Sequence, residues 1–149
     1  METIIFVGIQ GTGKSTFYKE RLVDTHIRIS GDMLKTKHRE KLLVEACLKA
    51  KQAFVVDKMN VTALERAKNI EAARQHHFSV IGYYFHSNFA EALMRNNQRE
   101  GKARVPAGGL GSALKRLQKP SLDEGFDQLF YVWINENDQF VVESWENEV

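Results

Sequence analysis

The chain has 149 residues, enough to bury one core and too few for two comfortable ones, so a single domain over 1–149 with one principal site is expected. Its 43% hydrophobic and 27% charged residues are ordinary for a soluble globular protein, and no apolar run approaches the ~20 residues of a membrane-spanning helix. A net charge of +2 does not by itself indicate a nucleic-acid partner, and the lone cysteine, Cys47, excludes an internal disulfide.

The apolar start Thr3–Gly8 is short, lacks a basic leader and runs into a glycine motif, so it reads as a strand, and a cytoplasmic protein without a membrane anchor is expected. Within it, Ile4–Val7 is a continuous β-branched and aromatic run, as a central strand covered on both faces requires. Ser15–Val23 reads as a helix and His26–Ser30 as a second, short strand. Met33–Lys51 is helix-forming, with Leu42, Leu43, Ala46, Cys47 and Ala50 at helical spacing, which makes Cys47 a packing residue rather than a reactive thiol. Ala53–Asp57 is a third strand ending in a carboxylate. Thr62 and Glu65 form the two halves of a capping box for a helix running to about His76. Ser79–His86 follows as a strand, Asn88–Arg99 as a helix, and Leu129–Asn135 as a fifth strand before an acidic hairpin.

Charge is unevenly spread. Arg95, Arg99, Lys102, Arg104, Lys115, Arg116 and Lys119 crowd one stretch with Glu100 as its sole acid, whereas only acids follow Ser121. The glycines and proline of Gly101–Gly111 break regular structure, so the segment from about 88 to 118 is a candidate lid. Its basic side chains are either a solvated face or a positive cover for phosphates. The alternation of elements gives an α/β, three-layer αβα architecture with a mostly parallel five-stranded sheet and a helical lid.

Gly8-Ile9-Gln10-Gly11-Thr12-Gly13-Lys14-Ser15 fits GxxxxGK[ST] between a strand and a helix, the context of a P-loop in the NTPase/kinase fold. Backbone N–H groups of such a loop wrap phosphate oxygens, and a Cβ at the positions of Gly11 or Gly13 would obstruct them. The helix that follows turns its positive end to the anion. In this pattern Lys14 reaches the β- and γ-phosphates of ATP, Ser15 ligates Mg²⁺, Thr16 bonds the α-phosphate, and Thr12 lies within the cradle.

Asp32 follows the second strand, where ligands bind in open α/β sheets, and it is either a base for an attacking hydroxyl or the N-cap of the next helix. Asp57 ends the third strand, where an aspartate supports Mg²⁺ or simply makes a turn. Arg95 and Arg99 share one helix face, directed either to transferred phosphate or to solvent.

Beyond the P-loop, four ordered segments resemble the kinase domain of the polynucleotide 5′-kinases, bacteriophage and mammalian alike. Gly31-Asp32-Met33-Leu34-Lys35 is similar to that family's Arg-Asp-x-Leu/Tyr segment, Asp57-Lys58-Met59-Asn60 to its Asp-x-Thr-Asn element, Arg95–Arg99 with Val105-Pro106 to its lid, and Lys119–Phe126 to the approach to its last strand. The resemblance implies that Asp32 is the general base on a 5′-hydroxyl, that Arg99 contacts ATP phosphates with Arg95 beside it, and that Lys35, Asp57 and Asn60 face the acceptor. Lys35 stands where the bacteriophage enzyme has an arginine holding the acceptor's 3′-phosphate. Gly31 replaces the arginine usual before the base, Lys58-Met59 replaces the middle of the Asp-x-Thr-Asn element, and no DxDGT phosphatase signature occurs.

The expectation is an ATP- and Mg²⁺-dependent phosphotransferase acting on a nucleic-acid 5′-OH end, with Lys14, Asp32 and Arg99 at its centre. Its rivals are a P-loop kinase of a nucleoside, sugar or antibiotic, and a nucleotide-binding regulatory protein without transfer. The carboxylate at Asp32 weighs against the last, since a pure binder needs no base.

Overall fold

The computed structural model of the protein describes residues 1–98 and 107–145. In chain order the elements are β1 (Glu2–Val7), α1 (Lys14–Arg21), β2 (Ile27–Ser30), α2 (Gly31–Leu34), α3 (Lys37–Ala50), β3 (Phe54–Asp57), α4 (Ala63–Gln75), β4 (Ser79–Phe85), α5 (Phe89–Asn97), α6 (Ala107–Arg116), a 3-10 turn (Leu122–Glu124), β5 (Gln128–Ile134) and β6 (Phe140–Ser144). The sheet order is β2-β3-β1-β4-β5-β6. All pairings are parallel except β5 with β6. The expected α/β fold with a mostly parallel sheet is therefore present, with β1 in the interior.

Side-chain alternation along β1 separates the two cores. Ile5 and Val7 pack with Val44, Cys47 and Leu48 of α3 and Ile70 and Ala73 of α4, whereas Ile4 and Phe6 pack with Phe17, Tyr18 and Leu22 on the α1 side. Phe17 meets Phe6, Phe85 and Phe140 edge to face, with ring centroids 5.2–6.0 Å apart. Burial of one such ring contributes about 1.5–3 kcal/mol. Cys47 is buried as expected, and burial pushes its thiol pKa up, which keeps it protonated. A third cluster, Ile9, Val61, Ala92 and Ala113, holds α5 and α6 against the loops after β1 and β3.

Several local readings change. The sheet has six strands rather than five, because Asn135 Oδ1 accepts from the N–H groups of Asn137 and Gln139 and turns the acidic hairpin back as β6. The helix expected over Met33–Lys51 is interrupted: Lys35 has φ 73°, and Thr36 Oγ1 accepts from Arg39 N–H to start α3 afresh. Thr62 caps α4 by accepting from Glu65 N–H, but Glu65 reaches Val61 N–H rather than that of Thr62, so the reciprocal bond is displaced by one residue. Ala107–Gly111, expected in an irregular lid, open α6 despite the ~1 kcal/mol cost of each helical glycine, because Leu110 and Ala113 bury their side chains. The rest of that segment, Gly101–Pro106, and Arg99 lie outside the described residues.

Candidate phosphate-binding site

The chain leaves β1 at Val7 and enters the glycine loop beside the C-terminal ends of β2 and β3. Order reverses here, since β1 is flanked by β3 on one side and β4 on the other, which opens a crevice at the strand ends. Gly8 N–H donates to Met59 O at 2.9 Å and ties the loop to the segment after β3. Gly11 and Gly13 have φ of 79° and 92°, and a Cβ on Gly11 would lie 2.5 Å from the main-chain oxygen of Ala92. No other residue type fits that position without movement of α5.

The start of α1 differs from those of α2, α3, α4 and α5. Ser30, Thr36, Thr62 and Asn88 each cap the helix that follows by accepting a backbone N–H, whereas α1 begins at Gly13 with no side-chain cap and no acid in its first turn. Its leading N–H groups and positive dipole end thus serve the crevice, the arrangement that binds anions.

A cavity of about 470 Å³ occupies this crevice. Of the residues singled out from sequence, Gly11, Gly13, Lys14, Ser15, Thr16, Asp32, Asp57 and Arg95 line it. Lys14 Nζ donates to Gly8 O at 2.9 Å and Ile9 O at 2.7 Å, so its ammonium braces the loop from inside. Asp32 is exposed on α2, and the cap of that helix is Ser30, whose hydroxyl accepts from Met33 N–H at 3.4 Å. The N-cap explanation of Asp32 therefore fails, and the residue lines the cavity.

Three expected residues do not line the cavity. Thr12 is buried and donates its hydroxyl to Ile9 O at 2.9 Å, stiffening the loop. Asn60 is also buried, with φ 47°, and its amide donates to Phe6 O at 2.8 Å, a bond that fastens β1 to the loop after β3 rather than meeting a ligand. Lys35 is exposed but does not line the cavity.

Sequence reading missed Arg28 and did not weigh Lys58 as a site residue. Arg28 Nε donates to Asp57 Oδ2 at 2.8 Å, its Nη2 donates to Ser15 Oγ at 2.8 Å, and Ser15 Oγ donates to Asp57 Oδ2 at 3.2 Å. The one available signal was a charge between Ile27 and Ile29, on the strand face it shares with Ser30, at the end where ligands bind. Lys58 reaches Glu40 Oε1 at 2.8 Å and its stem passes 3.5 Å from the position a Cβ on Gly31 would take.

The hard oxygens of Ser15 and Asp57 suit a Mg²⁺ ion by donor type and by their position beside the loop, so these residues would hold it.

Residues 35–120 match the AAA domain family. The chain belongs to that family. The match begins after the glycine loop, so the loop's geometry is independent support for a kinase-like P-loop protein. This AAA domain is 30% identical over 132 residues to the bifunctional polynucleotide phosphatase/kinase of Schizosaccharomyces pombe; the alignment covers 84% of this chain and 32% of the relative, so the chain spans about a third of that protein's length. Among solved structures, a gluconokinase from Sinorhizobium meliloti 1021 superposes with TM-score 0.60 at 18% identity, over 87% of this chain and 82% of the other. Chaetomium thermophilum Kti12 in complex with ADP-AlF3 gives 0.64 at 16% identity, over 91% and 92%. At such identities the two structures speak for the fold alone, that of the P-loop kinases. No described helix of the AAA domain is long and apolar enough to cross a membrane.

Proposed function

We propose that this protein transfers the γ-phosphate of ATP to the 5′-hydroxyl of a DNA or RNA end. The carrying observation is that Asp32, exposed and relieved of any capping duty, lines the same cavity as the uncapped start of α1 and Lys14. In this reading the loop N–H groups and Lys14 hold the β- and γ-phosphates, Thr16 the α-phosphate, and Asp32 accepts the proton as the hydroxyl oxygen attacks phosphorus. Arg95 and Arg99 stabilise charge on the transferred group. Mg²⁺, when bound by Ser15 and Asp57, neutralises charge on the phosphate oxygens. The Schizosaccharomyces pombe relative supports a polynucleotide acceptor.

A small-molecule acceptor is the second reading. It is favoured by the placement of Lys35 and Asn60 off the cavity wall, since both were expected to face a polynucleotide. Incubation with γ-labelled ATP and a panel of 5′-OH oligonucleotides, nucleosides and sugars decides between them. Label on 5′-OH strands is the expected result; label confined to a sugar or nucleoside would overturn it.

A further inference from the structure

Arg28 forms a closed triangle with the two oxygens that suit the metal. Both of its contacts are 2.8 Å, and the Asp57 side chain is only 3% exposed, so the guanidinium neutralises a nearly buried carboxylate. Its carbon lies 5.8 Å from the centroid of the Tyr18 ring, which with the two hydrogen bonds fixes the fork. Arg28 itself is 24% exposed and lines the phosphate cavity, so guanidinium N–H groups not engaged by Ser15 and Asp57 can reach an incoming anion. A guanidinium with N–H donors to offer, its charge largely balanced by Asp57, is therefore already in place beside the loop without any metal.

We propose that Arg28 is a resident hydrogen-bond donor for the nucleotide phosphates, allowing this protein to bind a nucleoside triphosphate in the absence of divalent metal. Ser15 and Asp57, if they held Mg²⁺, would give it the same lone pairs that Arg28 uses, and the guanidinium would then contribute less. Metal-free binding thus depends on Arg28 much more than metal-supported binding does. The inference rests on the nucleotide reading of the cavity and is indifferent to the acceptor.

The test is a calorimetric titration of ATP into wild type, Arg28→Gln and Arg28→Lys, each in EDTA and in excess Mg²⁺, with thermal unfolding as a check on the fold. Wild type is expected to bind in both media. Arg28→Gln is expected to lose about 10–100-fold in metal-free affinity, the range for hydrogen bonds to a charged group, and less than about 3-fold with Mg²⁺. If Arg28→Gln does not fold, Arg28→Lys carries the test, because it keeps the charge but not the fork, and a selective metal-free loss of at least about 3-fold is expected. Equal losses in both media, or none, would overturn the proposal. Wild type that binds ATP in neither medium would overturn it together with the nucleotide reading, whereas metal-free binding in a protein that labels no 5′-OH strand would sustain it and remove only the acceptor.

Discussion

Arg66 on α4 grips Glu124 with one edge of its guanidinium, Nε donating to Oε1 at 2.8 Å and Nη2 to Oε2 at 3.0 Å. Its third nitrogen, Nη1, donates to Asn60 O at 2.7 Å, so one side chain ties α4, the 3-10 turn and the loop after Asp57 together. Arg66 has no exposed side-chain surface, whereas Glu124 retains 16%. Truncation would strand a carboxylate and a main-chain carbonyl in a poorly hydrated place. Arg66→Ala is expected to lower the unfolding free energy by about 3–5 kcal/mol in urea titrations. A loss below about 1 kcal/mol would mean that water replaces the guanidinium.

Lys14→Ala is expected to reduce phosphoryl transfer by about 10²–10³-fold while leaving a folded protein, since it removes a cation from the developing charge. In the structure Lys14 Nζ donates to Gly8 O and Ile9 O, which holds its ammonium against the loop that would take the phosphates. Steady-state turnover at saturating ATP, with circular dichroism as a fold check, measures this. Wild-type turnover in the folded variant would remove Lys14 from the chemistry.

These two residues mark what was legible in sequence. Lys14 belongs to a contiguous motif with a strand before it and a helix after it, and both flanks follow from local apolar pattern. Strands β1 and β3 were legible for the same reason, their continuous apolar runs being buried on both faces. Arg66 and Arg28 act through partners remote in sequence, Glu124 and Asp57, and no local periodicity encodes such pairs. Lys35 could not be recognised as a helix break because a non-glycine residue with φ 73° carries no compositional mark. The glycines at the start of α6 misled in the opposite sense: tertiary burial of Leu110 and Ala113 outweighs their poor helix propensity.

Asp32→Asn is expected to preserve ATP affinity and lose about 10²–10⁴-fold in transfer rate, because an amide of the same size cannot take the hydroxyl proton. Stability should hardly change, since Ser30 and not Asp32 caps α2. Calorimetric ATP binding and single-turnover transfer, measured on the same preparation, separate the two quantities. Near-normal transfer by the folded variant would leave Asp32 without a catalytic role.

The acceptor itself can be read from salt. A nucleic-acid end held through its backbone phosphates displaces counterions from the strand, and acceptor affinity then falls with a log–log slope of about −0.7 per phosphate neutralised on a single strand. A neutral sugar or nucleoside gives almost none. ATP binding is salt-sensitive too, so the quantity to follow is acceptor KM at saturating ATP and Mg²⁺, compared among a 5′-OH oligonucleotide, a 3′-phosphorylated mononucleoside and a plain nucleoside. Lys35 supplies an internal control. It is exposed, sits next to the short helix that carries Asp32, and does not line the phosphate cavity, so a contact with an acceptor phosphate would be made beyond the cavity rim. Lys35→Ala is expected to raise KM for the two phosphate-bearing acceptors by about 3–10-fold, in line with the loss of one partly exposed charge contact, while leaving the plain nucleoside and the ATP affinity unchanged. A flat salt profile together with an indifferent Lys35→Ala variant would place the acceptor among uncharged small molecules.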